Sequence, residues 1–133
     1  MNVEQLVGLC KQWHMLLAKI DKEGFFDLPL FRDTFSKTFE VLSPLAQEKA
    51  MPKDYMELFL AAYSFATHSV SGYCKEHDAA VDLTGKMLVD CGIIYADAKL
   101  IAVFDFELLR DIPYTDIDAA IAILSEIYAA DYT

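Results

Sequence analysis

The sequence has 133 residues, of which 55% are hydrophobic and 24% are charged, and its formal net charge at pH 7 is −10. A chain of this length can bury a core without metal or disulfide staples, and we expect one helical domain over residues 1–133. Residues 1–75 carry 9 acidic and 8 basic side chains, whereas residues 76–133 carry 12 acidic and 3 basic ones. An acidic surface repels phosphates and anionic headgroups, which argues against direct binding to nucleic acid or membrane.

The three cysteines form no C-x-x-C pair, and the N-terminus lacks the basic segment and the apolar run of a signal peptide. These features favour a reducing, cytoplasmic setting with free thiols.

Apolar residues at helical spacing predict a first helix over residues 3–22, with Gly24 as its C-cap. Asp27 is placed to cap a second helix that carries Pro29 in its first turn. Ser43-Pro44 then predicts the start of a short helix. The predicted inner face of the first helix consists of Val3, Leu6, Val7, Cys10, Trp13, Leu17 and Ile20.

The central segment contains no charged residue between Leu58 and Cys74, and its apolar residues recur every three or four positions. Serine, threonine, histidine and glycine interrupt the run, so a core helix is favoured over a membrane span. We therefore predict a buried central helix at about residues 54–75.

In the C-terminal half, Glu76 to Asp78 is interpreted as a corner, with Asp78 capping a long helix that keeps Lys86 on its polar side. Residues 100–108 are ambiguous between strand and helix and are assigned as helix, since the sequence offers a strand no pairing partner. Thr115 and Asp118 have capping-box spacing at the start of the last helix. The fold class that follows is all-α: a single compact bundle of five to seven helices. The inner face of the last helix is predicted to be Ile117, Ala120, Ile121, Leu124, Ile127 and Tyr128.

Two cysteine–histidine pairs, Cys10 with His14 and Cys74 with His77, are the donor types of a zinc site, but their separation matches no finger. His77 and Asp78 also form the dipeptide of HD-type metal phosphohydrolases, a resemblance of two residues only. Cys74 is expected near a helix C-terminus, where the dipole raises a thiol pKa and disfavours a nucleophile. We predict no catalytic residue, no metal and no cofactor.

Acidic residues interleaved with aromatic and apolar ones form the remaining feature of the sequence. Such a pattern suits a basic, partly apolar protein surface, because charge steers the encounter and aromatic rings add contact energy. The alternative is a solvated loop whose acids cap the last helix. The candidate partner-binding residues are Asp105, Glu107, Asp111, Tyr114, Asp116 and Asp118.

The predicted function is a non-enzymatic acidic interaction protein, of the inhibitor, immunity or adaptor type, that binds a basic protein partner through its C-terminal half. The alternative is a small helical enzyme or ligand-binding module with a pocket near His68 and Tyr95. The high hydrophobic content also predicts self-association, as a homodimer, if it leaves an apolar face uncovered.

Overall fold

A computed structural model of the protein describes residues 2–47, 51–67, 73–91 and 109–131. Within these ranges there are five α-helices, one 3₁₀ helix and no β-strand, so the predicted all-α class is confirmed. Residues 100–108, the ambiguous segment, lie outside the described ranges. The elements are α1 (Val3–Glu23), α2 (Leu28–Leu42), the 3₁₀ helix (Ser43–Gln47), α3 (Lys53–Thr67), α4 (Lys75–Asp90) and α5 (Ile117–Asp131).

The first helix begins and ends at well-defined caps. Asn2 Oδ1 accepts a hydrogen bond from the Gln5 amide at 2.9 Å, and the Asn2 amide donates to Gln5 Oε1 at 3.0 Å. This reciprocal pair is a capping box, in which two backbone N–H groups at the start of the helix find side-chain acceptors. At the other end Gly24 is left-handed, with φ 61°, as the sequence predicts for a glycine C-cap.

The buried face of α1 is rotated from the predicted one. Trp13 and Ile20 are buried as expected, but Val3 and Val7 are exposed. Both sides of this helix carry apolar residues at helical spacing, so periodicity alone does not choose between them. The buried set is Leu6, Leu9, Trp13, Leu16 and Ile20.

The second helix is fixed to the first by Asp27. Its Oδ1 accepts from the Leu30 amide at 3.0 Å, which confirms the predicted cap, and its Oδ2 lies 2.6 Å from Lys19 Nζ. The hydrogen bond from Lys19, followed by that from Leu30, holds the pKa of the Asp27 carboxyl below its usual value. One side chain thus caps α2 and links it to α1.

The core centres on Trp13, which is fully buried. Its ring centroid lies 5.2 Å from that of Phe65 and 6.1 Å from that of Phe31, and its Nε1 donates to Thr38 Oγ1 at 2.9 Å. Aromatic residues from α1, α2 and α3 therefore meet at one point. The indole N–H, which would be costly to bury alone, has a partner there.

The buried central helix is confirmed as α3, which packs mainly against α1 and α4. It ends earlier than predicted, because the described helix stops at Thr67 and residues 73 and 74 are not helical. Cys74 is the N-cap of α4, with its Sγ accepting from the His77 amide at 3.4 Å. The predicted corner at Glu76–Asp78 and the cap at Asp78 are therefore wrong, since those residues lie in the first turn of α4.

The last helix starts at Ile117 and packs mainly against α4. Its cap is Asp116, whose Oδ1 accepts from the Ala119 amide at 3.2 Å, rather than the predicted Thr115. Aspartate serves well here because a carboxylate also interacts favourably with the helix dipole. The predicted inner face is confirmed: Ile117, Ala120, Ile121 and Leu124 are buried, and Ile127 and Tyr128 pack against the core.

None of the described helices combines the length and the apolarity that crossing a bilayer requires.

Candidate functional site

The structure describes four of the six candidate partner-binding residues. Asp111, Tyr114, Asp116 and Asp118 lie in or next to the segment of residues 110–116, here called the acidic loop. Asp105 and Glu107 lie outside the described residues, as do His68 and Tyr95 of the alternative pocket. The site is therefore built from the acidic loop and the first turn of α5.

Three carboxylates project from this part of the chain. The Asp111 side chain is 86% exposed, with an oxygen 3.7 Å from Arg110, and the Asp118 side chain is 61% exposed. Asp118 Oδ1 lies 2.8 Å from Nε of Arg32, which belongs to α2. Asp116 is also exposed, although one of its oxygens caps α5. The carboxylates thus face solvent, and two of them have an exposed arginine as a neighbour.

Tyr114 is held on the inner side of the acidic loop. Its ring packs edge-on against Phe39 and Phe35, at centroid distances of 5.1 and 6.4 Å. Burial, then the nearby carboxylate of Asp90 and thiol of Cys91, raise the pKa of Tyr114 to about 12. Tyr114 therefore anchors the loop to α2 and α4.

Lys86 is buried beside the acidic loop and is only 6% exposed. The sequence pattern instead predicts that it lies on the polar side of its helix. Its Nζ lies 3.3 Å from Asp90 Oδ2, 3.4 Å from the Arg110 carbonyl oxygen and 5.3 Å from the centroid of the Tyr114 ring. A buried lysine usually has such partners. The spacing of Lys86 and Asp90 was visible in the sequence, but the contacts to the loop were not.

His77 is enclosed by aromatic rings rather than set in a polar site. It is 1% exposed, and the ring centroids of Phe26, Phe65 and Tyr73 lie 5.5, 5.7 and 5.8 Å from its own. Its Nδ1 is 3.9 Å from Asp78. The imidazole therefore takes part in core packing between the α1–α2 link and α4.

All three cysteines have a thiol pKa above the ordinary value. Cys74 lies at a helix N-terminus, contrary to the sequence-based expectation, but burial still raises its thiol pKa. Burial and the nearby Glu57 likewise raise the pKa of Cys10, and burial raises that of Cys91 to about 11. In the described part of the chain, no three histidine, cysteine or acidic side chains come together as a metal site.

Two shallow cavities adjoin each other on the α2 side of the bundle. One, of about 370 Å³, lies between α1 and α2 over Gly8, with Gln12 and Lys37 on its walls. The other, of about 360 Å³, is lined by Val41, Pro44, Leu45 and Tyr55. Glu40 borders both. The predicted pocket near His68 and Tyr95 lies outside the described residues and stays a prediction.

Comparisons of the chain with protein-family models, with curated proteins and with solved structures find no match.

Proposed function

We propose that this protein is a non-enzymatic acidic interaction protein, of the inhibitor, immunity or adaptor type, which binds a basic surface of a protein partner. The observation that carries this proposal is a loop whose carboxylates are exposed while its Tyr114 and Ile112 pack against the core. Asp111, Asp116 and Asp118 would make the charged contacts, and the segment containing Asp105 and Glu107 would extend them.

The anchoring of the acidic loop makes it a pre-organised surface. Leu109 and Ile112 are buried, the Ile112 amide donates to the Leu109 carbonyl oxygen at 3.1 Å, and Tyr114 packs inward. A partner would therefore not have to order this segment on binding. Pre-organisation of this kind improves affinity by reducing the conformational entropy lost in the complex.

The distribution of cations adds to the acidic character of the surface. Of the basic residues described beyond residue 75, Lys86 is buried against Asp90, and Arg110 lies beside Asp111. Lys86 therefore offers no ammonium group at the surface, and exposed carboxylates dominate this end of the bundle. The negative electrostatic potential of these carboxylates accelerates association with a basic partner, and this effect weakens as salt is added.

Tyr114 has a positioning role in this proposal. Its ring packs against Phe35 and Phe39 and so holds the acidic loop in place. Its predicted contact with a partner stays a prediction. The apolar contribution to binding would instead come from residues next to the carboxylates, of which Pro113 is exposed.

Affinity capture from the native host, followed by quantitative mass spectrometry, tests the proposal. The test variant combines Asp111→Asn, Asp116→Ser and Asp118→Asn, because serine retains a helix cap at position 116. We expect a basic protein to be recovered by the wild type and lost by this variant. Binding of that protein to the wild type should also weaken between 50 and 500 mM salt, a range of ~10-fold in ionic strength.

A matched control combines Glu4→Gln, Glu23→Gln and Glu40→Gln, three exposed acids of the N-terminal half. It changes the net charge by the same amount, and we expect it to recover the partner as the wild type does. Equal recovery by the acidic-loop variant and the wild type would refute the proposed site.

A further inference from the structure

Among the residues that the structure describes, most of the exposed large apolar side chains belong to residues 1–75. Six large apolar side chains among the described residues are exposed, and only Ile123 lies in the C-terminal half. Val7, 42% exposed, and Leu60, 49% exposed, lie on α1 and α3, the two helices with the most extensive contact. An uncovered apolar face is typical of an interaction surface. The other exposed members are Val3, Met15 and Phe25.

Val7 and Leu60 belong to one side of the bundle. Val3, Val7 and Cys10 follow each other at spacings of four and three, so they share one face of α1. α1 and α3 pack against each other, and Val7 and Leu60 are exposed on the side of each helix that faces away from its buried residues. Glu57, three residues before Leu60, is also exposed and shares that side of α3. We call the surface formed by Val3, Val7, Cys10, Glu57 and Leu60 the α1–α3 face.

We propose that the α1–α3 face pairs with the same face of a second copy of this chain. Charge argues for this occupant, since the chain as a whole has a net charge of −10 and two copies repel each other. α1 carries 3 acidic and 3 basic side chains, and α3 carries 2 acidic and 1 basic, so the two helices that form the face are together close to neutral. Two copies therefore repel each other least when they approach through this face.

The composition of the face also suits a twofold contact. In a symmetric dimer the same patch must complement itself, so its charges have to occur in both signs. Exposed Glu57 lies on this face, and exposed Lys11, four residues after Val7, lies at its border. Across a twofold axis a lysine of one copy can meet a glutamate of the other, while the apolar side chains pack at the centre.

Sedimentation velocity of the full chain tests the dimer directly. We expect the wild type to shift with concentration from a 15.0 kDa species towards one of twice that mass. Each substitution occurs twice in a symmetric dimer, so Val7→Gln and Leu60→Gln should each raise the dissociation constant about tenfold or more. The matched control is Ile123→Gln, which removes an exposed apolar side chain from α5 and should leave the dissociation constant unchanged.

The salt dependence of the dissociation constant distinguishes this dimer from one in which the carboxylates of one copy bind the cations of another. Pairing of the α1–α3 faces strengthens with salt, because screening reduces the repulsion between two chains that each carry a net charge of −10. The proposal is overturned by a 15.0 kDa species at all concentrations up to several hundred micromolar, by a dimer that salt dissociates, or by one that Ile123→Gln weakens as much as Leu60→Gln. None of these outcomes bears on capture of a basic partner by the acidic loop.

Discussion

The ammonium group of Lys86 lies over the ring of Tyr114, with Nζ 5.3 Å from the ring centroid. The two residues are far apart in sequence, and the same ammonium group lies 3.3 Å from Asp90 Oδ2 and 3.4 Å from the Arg110 carbonyl oxygen. Lys86 therefore connects α4 to the acidic loop through an aromatic ring and a backbone carbonyl. This arrangement explains how a loop with exposed carboxylates on one side is fixed on the other.

Replacing Lys86 with alanine is expected to lower the free energy of unfolding by about 1–3 kcal/mol, since packing of its buried stem, a hydrogen bond and an ion pair are lost together. Lys37→Ala is the matched control, because Lys37 also pairs with an aspartate four residues away, Asp33, but is about half exposed. That change should cost less than about 0.5 kcal/mol. Urea unfolding of both variants measures the difference, and equal costs would mean that the burial of Lys86 has no energetic consequence.

Stability should fall at alkaline pH because of Tyr114 and Cys91. The folded protein raises the pKa of Tyr114 from 10.0 to about 12, and that of Cys91 from 9.0 to about 11. Each contribution is therefore fully present below the unfolded value and is lost as pH rises through the folded one. We expect the urea midpoint to decrease between about pH 9 and 12, and Tyr114→Phe to reduce the part of that decrease above pH 10. An unchanged pH profile in this variant would contradict the assignment.

Two glycines of α1 should respond to alanine in opposite directions. A Cβ at Gly8, within the helix, would meet nothing within 4 Å, so Gly8→Ala is expected to stabilise the protein by about 0.5–1 kcal/mol. Gly24 caps the helix at φ 61°, where an L side chain is strained, so Gly24→Ala should destabilise it by about 1 kcal/mol. Thermal unfolding monitored by circular dichroism compares them. Destabilisation by Gly8→Ala would show that the cavity over this residue is not open.

Removing the arginine that neighbours Asp118 should strengthen binding of the basic partner captured by the wild type. Arg32 competes for that carboxylate at 2.8 Å, and both side chains are well exposed, so Arg32→Gln should change stability by less than about 1 kcal/mol. Titration calorimetry at low salt should show several-fold tighter binding. Lys22→Gln, an exposed cation of α1, makes the same change in net charge. An equal gain in this control would attribute the effect to overall charge alone.

The sequence by itself determined the fold class, the bounds of α1, and the caps at Gly24 and Asp27. Asp27, Gly24 and Pro29 act within a few residues of their own position, and the inner face of α5 follows from one dominant apolar stripe. Local chemistry and periodicity are sufficient for such features, because they depend on neighbours along the chain.

Only the tertiary structure decided which face of α1 is buried, that Lys86 lies inside and that Tyr114 points towards the core. Each of these depends on residues distant in sequence: Val7 is exposed because the opposite side of α1 packs against the rest of the bundle, and Lys86 is buried because the acidic loop folds over it. Both sides of α1 satisfy helical spacing, and lysine is ordinarily a surface residue. The choice is made by contacts between elements, which a pattern along the chain does not contain.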